Sequence, residues 1–214
     1  MRPGIVVGLA AEARLARGLG CAAAIGGGTE AGAEQAAARL IAGGATALIS
    51  FGLAGGLDPA LRPGTIIVPA AVFADGTTLA TDPGLNARLG GTTAHLLLAT
   101  AQVLATAAEK QARWTDTGAA AADMESGAVA RAAAGHGLPF AVLRAICDPA
   151  ERDLPPAALA ALNHRGAIGL GRVAASVARH PAQIPALLAL ARDAAAARRA
   201  LADRVRSCGA LAGP

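Results

Sequence analysis

Between Ala119 and Asp148 the chain reads as a strand, a helix and a second strand with a carboxylate at each junction. Nothing else in the sequence constrains the fold as much. Ala119 to Asp123 makes a short strand, and Glu125 sits where it gives way to a helix running to Ala134. The turn Gly135-His136-Gly137 and Leu138-Pro139 lead into a buried strand from Phe140 to Ile146, and Asp148 stands where that strand meets Pro149. In an α/β protein such junctions are neighbouring strand ends on the side of the sheet where ligands bind. Two acids converging there suit a site that holds hydroxyls with one carboxylate and moves a proton with the other.

The rest of the chain continues the alternation. Gly4 to Gly8 reads as a buried strand, Ala11 to Arg17 as the start of a helix and Cys21 to Ile25 as a second strand. Thr29 can cap a helix from Glu30 to Ala42 that Gly43-Gly44 stops. Ala45 to Phe51 is a third strand, followed by a glycine turn, and Thr65 to Phe73 a fourth, closed by Asp75-Gly76. Thr77 to Thr93 is polar, weakly periodic and reads as loop; Gln102 to Ala105 would suit a strand. From Pro155-Pro156 the chain is helical to about Arg206, with breaks near Pro181 and Pro185. One domain of 214 residues with a helical C-terminal part from about residue 155 is the expected organisation.

Composition narrows the function classes. The hydrophobic fraction is 54% but aromatics are only 2%, so the core is built mostly from small side chains, which favours helices packed closely on a sheet. The net charge of +4 comes from arginine, with Lys110 the sole lysine. No aromatic-and-basic stacking surface accompanies it, which argues against a nucleic-acid partner. Cys21, Cys147 and Cys208 form neither a Cys-x-x-Cys motif nor a His/Cys cluster, which fits a reducing cytoplasm and no structural metal. His95, His136, His164 and His180 are scattered and match no ligand spacing. No signal segment is visible, and the apolar stretch Leu40 to Leu57 is interrupted by five glycines.

The second informative element is Ser50-Phe51-Gly52-Leu53-Ala54-Gly55-Gly56-Leu57-Asp58. Glycines after a strand let backbone N–H groups approach a ligand closely. A dinucleotide fingerprint is excluded by their spacing, and Pro59 and Pro63 preclude the helix that should follow it.

Together these pieces carry a resemblance: Glu12 behind a glycine-bounded first strand, Gly52-Leu53-Ala54-Gly55-Gly56-Leu57, Asp123-Met124-Glu125-Ser126 and Arg144-Ala145-Ile146-Cys147-Asp148. The chain resembles the nucleoside phosphorylase and nucleosidase superfamily, in particular the methylthioadenosine/S-adenosylhomocysteine nucleosidases, over about residues 4 to 150. With the tail from Glu151 to the Pro181 and Pro185 helices it is similar to the hopanoid-associated phosphorylase branch, which is linked to release of adenine from adenosylhopane. The resemblance implies a three-layer α/β/α sandwich around a mixed sheet that partly closes into a barrel. It also implies a homo-oligomer, no metal or organic cofactor, and cleavage of a ribosyl–purine bond, with phosphate as an allowed co-substrate.

It assigns roles as well. Asp148 becomes the acid at purine N7, and burial should raise its pKa to suit. Glu125 accepts the ribose 2′- and 3′-hydroxyls with Met124 beneath the sugar, Glu12 activates water, and Gly52, Leu53, Ala54 and Gly55 line the site. Arg144 either orients Asp148 or faces a neighbouring layer. Each acid also has a plain structural reading: Asp148 as a turn cap, Glu125 as an acid favoured at a helix N-terminus, Glu12 as a solvated helix residue. Nucleosidases of this type carry Ser where this chain has Leu53, which suits a hydrocarbon 5′ substituent. No arginine follows Gly8 as phosphate binding requires, Arg14 coming two residues late, so water is the better-supported acceptor. The stacking aromatic is left open among Phe51, Phe73, Phe140 and Trp114, with Phe140 expected in the core. The final helix sets Leu187, Leu188, Leu190, Leu201 and Val205 against five arginines, an amphipathic pattern that packs on the core or touches the inner membrane peripherally.

Overall fold

Alternation along the first strand sorts the molecule into layers: Val6 buries toward one helical face of the sheet, Ile5 and Val7 toward the other. A computed structural model of the chain describes residues 1–161 and 170–211. Its strands are β1 (Pro3–Val7), β2 (Ala22–Ile25), β3 (Ala47–Gly56), β4 (Ile66–Ile67), β5 (Pro69–Ala74), β6 (Thr77–Ala80), β7 (Ala94–Ala99), β8 (Ala121–Asp123) and β9 (Phe140–Asp148). The helices are α1 (Ala10–Ala16), α2 (Glu30–Ala42), α3 (Pro83–Arg88), α4 (Ala107–Thr117), α5 (Ser126–Gly135), α6 (Pro156–Ala161), α7 (Leu170–Arg179) and α8 (Ile184–Cys208).

The strands form one mixed sheet in the order β2-β1-β3-β8-β7-β5-β6, with β9 on β3 and β4 on β9. On one face α2 and α5 bury Ala33, Ala36, Ala37, Leu40, Ala128, Val129 and Ala133 over Val6, Leu48, Val142 and Ile146. On the other, α1, α3 and α8 contribute Ala16, Leu85, Ala197, Leu201 and Val205 over Ile5, Val7, Ile49, Phe51 and Leu143. This is the α/β fold with helices on both faces of a mixed sheet that the sequence predicts. Alanine-rich helices lie close to the strands: a Cβ added at Gly127 of α5 would sit 2.8 Å from Ala99 Cβ and 3.0 Å from Ala74 Cβ. Each large core side chain contributes about 1.5–3 kcal/mol by leaving water, so the few Leu, Ile and Phe at these positions count heavily.

β3 positions everything that follows. Its residues 48–51 pair with β1 on one edge and β9 on the other, both parallel. Past Phe51, β8 takes over the edge that β1 leaves, pairing antiparallel at Gly55 and Gly56. The segment read as a glycine turn is therefore strand, a correction: Gly52 to Gly56 continue β3, with a register shift between Ala54 and Gly55. The missing side chains allow three neighbours to crowd it.

Other elements differ from expectation for local reasons. The stretch read as loop holds β6, paired with β5, and α3, which Asp82 caps by accepting from Leu85 N–H at 2.7 Å with Pro83 in its first turn. The expected fourth strand is two strands, β4 against β9 and β5 against β6 and β7. Gln102–Ala105 is not a strand; the strand is Ala94–Ala99, and α4 follows behind a Thr106/Glu109 capping box. Pro185 does not break a helix but lies in the first turn of α8, where its missing N–H costs nothing. Thr29 caps α2 as expected, accepting from Gly32 N–H. In α8, Leu201 and Val205 pack inward while Leu188 and Ile184 are exposed. Among the described residues no helix is long and apolar enough to cross a membrane.

Candidate active site

Glu12, Glu125 and Asp148 come from three elements, and all three are buried, with exposures of 5%, 7% and 6%. The first turn of α1 carries Glu12. Its Oε2 accepts the N–H of Leu9 at 2.8 Å and its Oε1 the N–H of Leu53 at 3.0 Å, which fastens the helix to β3. Glu125 precedes α5 and takes a 2.8 Å ion pair from Arg144 Nη2 on its Oε2. Two glycines make this packing possible. A Cβ on Gly8 would press on Glu125 Oε1 and lie 3.2 Å from Glu12 Oε2; one on Gly52 would lie 2.5 Å from Glu12 Oε1 and 2.6 Å from Arg144 Nη1. Glu12 and Glu125 thus meet over Gly8.

Arg144, pointing from β9, is 1% exposed. Its Nε lies 2.7 Å from Asp123 Oδ2, an ion pair not aligned as a hydrogen bond. Nη2 donates to Ser50 Oγ at 2.7 Å and Nη1 to the Leu53 carbonyl at 3.2 Å. Of the two sequence readings for Arg144, orientation of Asp148 is set aside, because its carboxylate partners are Asp123 and Glu125. Burial pulls the guanidinium pKa down, but Asp123, Glu125 and Glu12 outweigh it and raise it, so the cation stays charged. Burial pushes Glu125 up to about 7; Arg144 pulls against it while Asp123 and Glu12 add to it. Asp123 in turn accepts the N–H groups of Glu125 and Ser126 on Oδ1 and the Ser126 hydroxyl on Oδ2, which fixes the entry to α5.

Asp148 is the register partner of Gly55, on the same strand β3 whose Leu53 holds Glu12 and Arg144. The sequence expectation invokes burial alone for this acid; the structure buries it but also gives it a cation, Lys110 Nζ at 2.5 Å, which that expectation did not include. Cys147 Sγ lies 3.3 Å from Asp148 Oδ1, and its thiol is pushed well up by burial and by that carboxylate, which makes it no nucleophile. Met124 and Leu53 are half-buried and Ala54 is buried. Phe51 and Phe140 are core residues, whereas Phe73 and Trp114 pack half-buried beside Leu57, Leu98, Ala119 and Ala122. His95, His136 and His180 are exposed; His164 lies outside the described residues.

Sequence reasoning gave no site role to Lys110, Asp123, Ser50 or Ser126. Lys110 carried a signal, since it is the sole lysine of a chain that otherwise uses arginine. Two surface clefts lie elsewhere. One of about 420 Å³ is lined by Arg172, Ser176, Arg179 and His180, the other of about 360 Å³ by Asp82, Pro83, Leu138 and Phe140. The first is lined by no acid among the described residues and the single acid of the second caps α3, which leaves the three buried acids as the candidate site.

A model described as the phosphorylase superfamily matches residues 21–96 and 95–179. No curated protein matches the chain in sequence. Among solved structures, the S-adenosylhomocysteine nucleosidase of Streptococcus pyogenes aligns with a TM-score of 0.68 at 18% identity, covering 97% of both chains. The 5′-methylthioadenosine/S-adenosylhomocysteine nucleosidase of Helicobacter pylori gives 0.67 at 16%, covering 97% of this chain and 98% of that one. A futalosine hydrolase mutant of Helicobacter pylori gives 0.58 at 15%, covering 68% and 89%. At such identities the likeness establishes a shared fold.

Proposed function

The chain belongs to the phosphorylase superfamily, and from that premise we propose that it cleaves the N-glycosidic bond of a purine nucleoside and releases adenine. The observation that carries the reading is that Glu12 and Asp148 lie against residues 52–55 of β3, with Glu125 beside Glu12 over Gly8 and tied to the same strand through Arg144. Each acid has a chemical task there. Glu125 accepts the ribose 2′- and 3′-hydroxyls, with Met124 beneath the sugar. As the C1′–N9 bond breaks and its electron pair passes to the base, Asp148, entering the step protonated on Oδ1 with Oδ2 held by Lys110, gives that proton to N7 and is left as the carboxylate. Glu12 takes a proton from the water whose oxygen bonds to C1′, where positive charge has developed.

Water suits the site better than phosphate. Arg144 is the buried arginine among the described residues, and its donors are directed at Asp123, Glu125, Ser50 and the Leu53 carbonyl. Arg14 is exposed. A dianion would therefore enter beside Glu12 and Glu125 without a cation to meet it. Leu53, half-buried between the Glu12 and Arg144 contacts, favours a nucleoside with an apolar 5′ substituent: adenosylhopane first, methylthioadenosine second. Peripheral membrane contact, which a lipid-linked substrate would entail, would run through the first turns of α8, where Ile184 and Leu188 are exposed.

The test is to incubate the protein with adenosylhopane, methylthioadenosine and adenosine, each with and without phosphate, and to quantify adenine and the sugar product. The expected result is phosphate-independent adenine, fastest from adenosylhopane, with the sugar released carrying a free C1′ hydroxyl and its 5′ substituent intact. Sugar 1-phosphate formed only with phosphate would overturn the acceptor. No adenine from any of the three would overturn the reading.

A further inference from the structure

Lys110 projects from α4 into the protein, 1% exposed, with three acceptors around its ammonium. These are Asp148 Oδ2 at 2.5 Å, the Pro149 carbonyl at 3.0 Å and the Arg152 carbonyl at 2.9 Å. An ammonium has three N–H bonds, so all of them are engaged. A planar guanidinium fork does not converge on three acceptors around one point, which accounts for a lysine in a chain that uses arginine everywhere else. The same junction is tied to α4 twice more: Ala107 N–H donates to Asp153 Oδ1 at 2.7 Å, and Leu154 N–H to the Ala105 carbonyl at 2.7 Å. Arg152 pairs with Asp193 of α8 from the other side. The end of β9 is thus braced by α4, with Lys110 at the centre of the brace. With Oδ2 taken by Lys110, Oδ1 has no cationic partner among the described residues and accepts only the weak donor of the Cys147 thiol, at 3.3 Å.

We infer that Lys110 is a positioning residue for Asp148, fixing Oδ2 so that Oδ1 is the oxygen offered to the purine. This rests on the reading of Asp148 as the proton donor. A residue acting in this way affects bond breaking through Asp148, so its loss lowers kcat and leaves KM nearly unchanged. A misplacement of about 1 Å at a reacting group costs on the order of 10²-fold.

The test is a double-mutant cycle of Lys110→Met, Asp148→Asn and the double variant, each checked for folding by circular dichroism, with kcat and KM measured on the nucleoside that releases adenine. Lys110→Met is expected to lower kcat about 10- to 100-fold with KM little changed, and the double variant to be no slower than Asp148→Asn alone. If Lys110→Met does not fold, Lys110→Gln, which keeps a donor without the charge, takes its place in the cycle. Full kcat in the Lys110 variant, or losses that multiply in the double variant, would overturn the inference and leave the Asp148 reading standing. Full turnover in Asp148→Asn would overturn the Asp148 reading, and this inference with it.

Discussion

Replacing Asp148 with Asn lowers kcat for adenine release by roughly 10²–10⁴, the span of a positioned general acid. In barrier terms this is about 2.7–5.4 kcal/mol. Asn is nearly isosteric, so the variant should fold; what it lacks is a proton to give to N7. The structure makes the expectation specific. The strand end that carries Asp148 is clamped by Lys110, and the next acids along the chain are engaged, Glu151 by Arg62 and Asp153 by the Ala107 N–H. The check is steady-state kinetics on the folded variant. Undiminished turnover would remove Asp148 from the mechanism.

Glu125→Gln is expected to cost about 10²–10³ in kcat/KM, because hydrogen bonds to a charged acceptor contribute about 1.5–3 kcal/mol each and the carboxylate is asked to accept two. The same residue sets a pH dependence. Burial is the main cause that pushes Glu125 up to about 7, with Arg144 opposing and Asp123 and Glu12 adding. Only the ionised form accepts from both ribose hydroxyls, so kcat/KM, which reports the free enzyme, should rise as pH climbs through about 7. That limb should be absent from Glu125→Gln. A wild-type profile flat across neutrality, or the same limb in the variant, would count against the role given to Glu125.

How much of this was legible in the chain depends on how local the signal is. Thr29 as a cap, the β8–α5–β9 unit and the buried strands are written in short-range patterns: a hydroxyl before a helix, apolar runs bounded by glycine and proline. The family resemblance named all three acids, and the structure sets Glu12 and Asp148 against one stretch of β3 and ties Glu125 to it through Arg144. What escaped was the pairing between distant residues. Lys110 is 38 positions from Asp148 and Arg144 is 19 from Glu125, and nothing in either neighbourhood announces its partner. Gly52 to Gly56 read as a turn because glycine is poor in strands; the strand persists because Glu12, Arg144 and Asp148 occupy the space that side chains would fill. α3 and β6 were hidden in a polar stretch, since their order comes from Asp82 capping and from pairing to β5 rather than from apolar periodicity.

In this mechanism base departure is driven by a proton delivered to N7. The most direct measurement compares a purine nucleoside with its 7-deaza counterpart, identical except that carbon replaces N7. The 7-deaza compound is expected to compete for the site with similar affinity yet release no base. Release of both bases at comparable rates would contradict it.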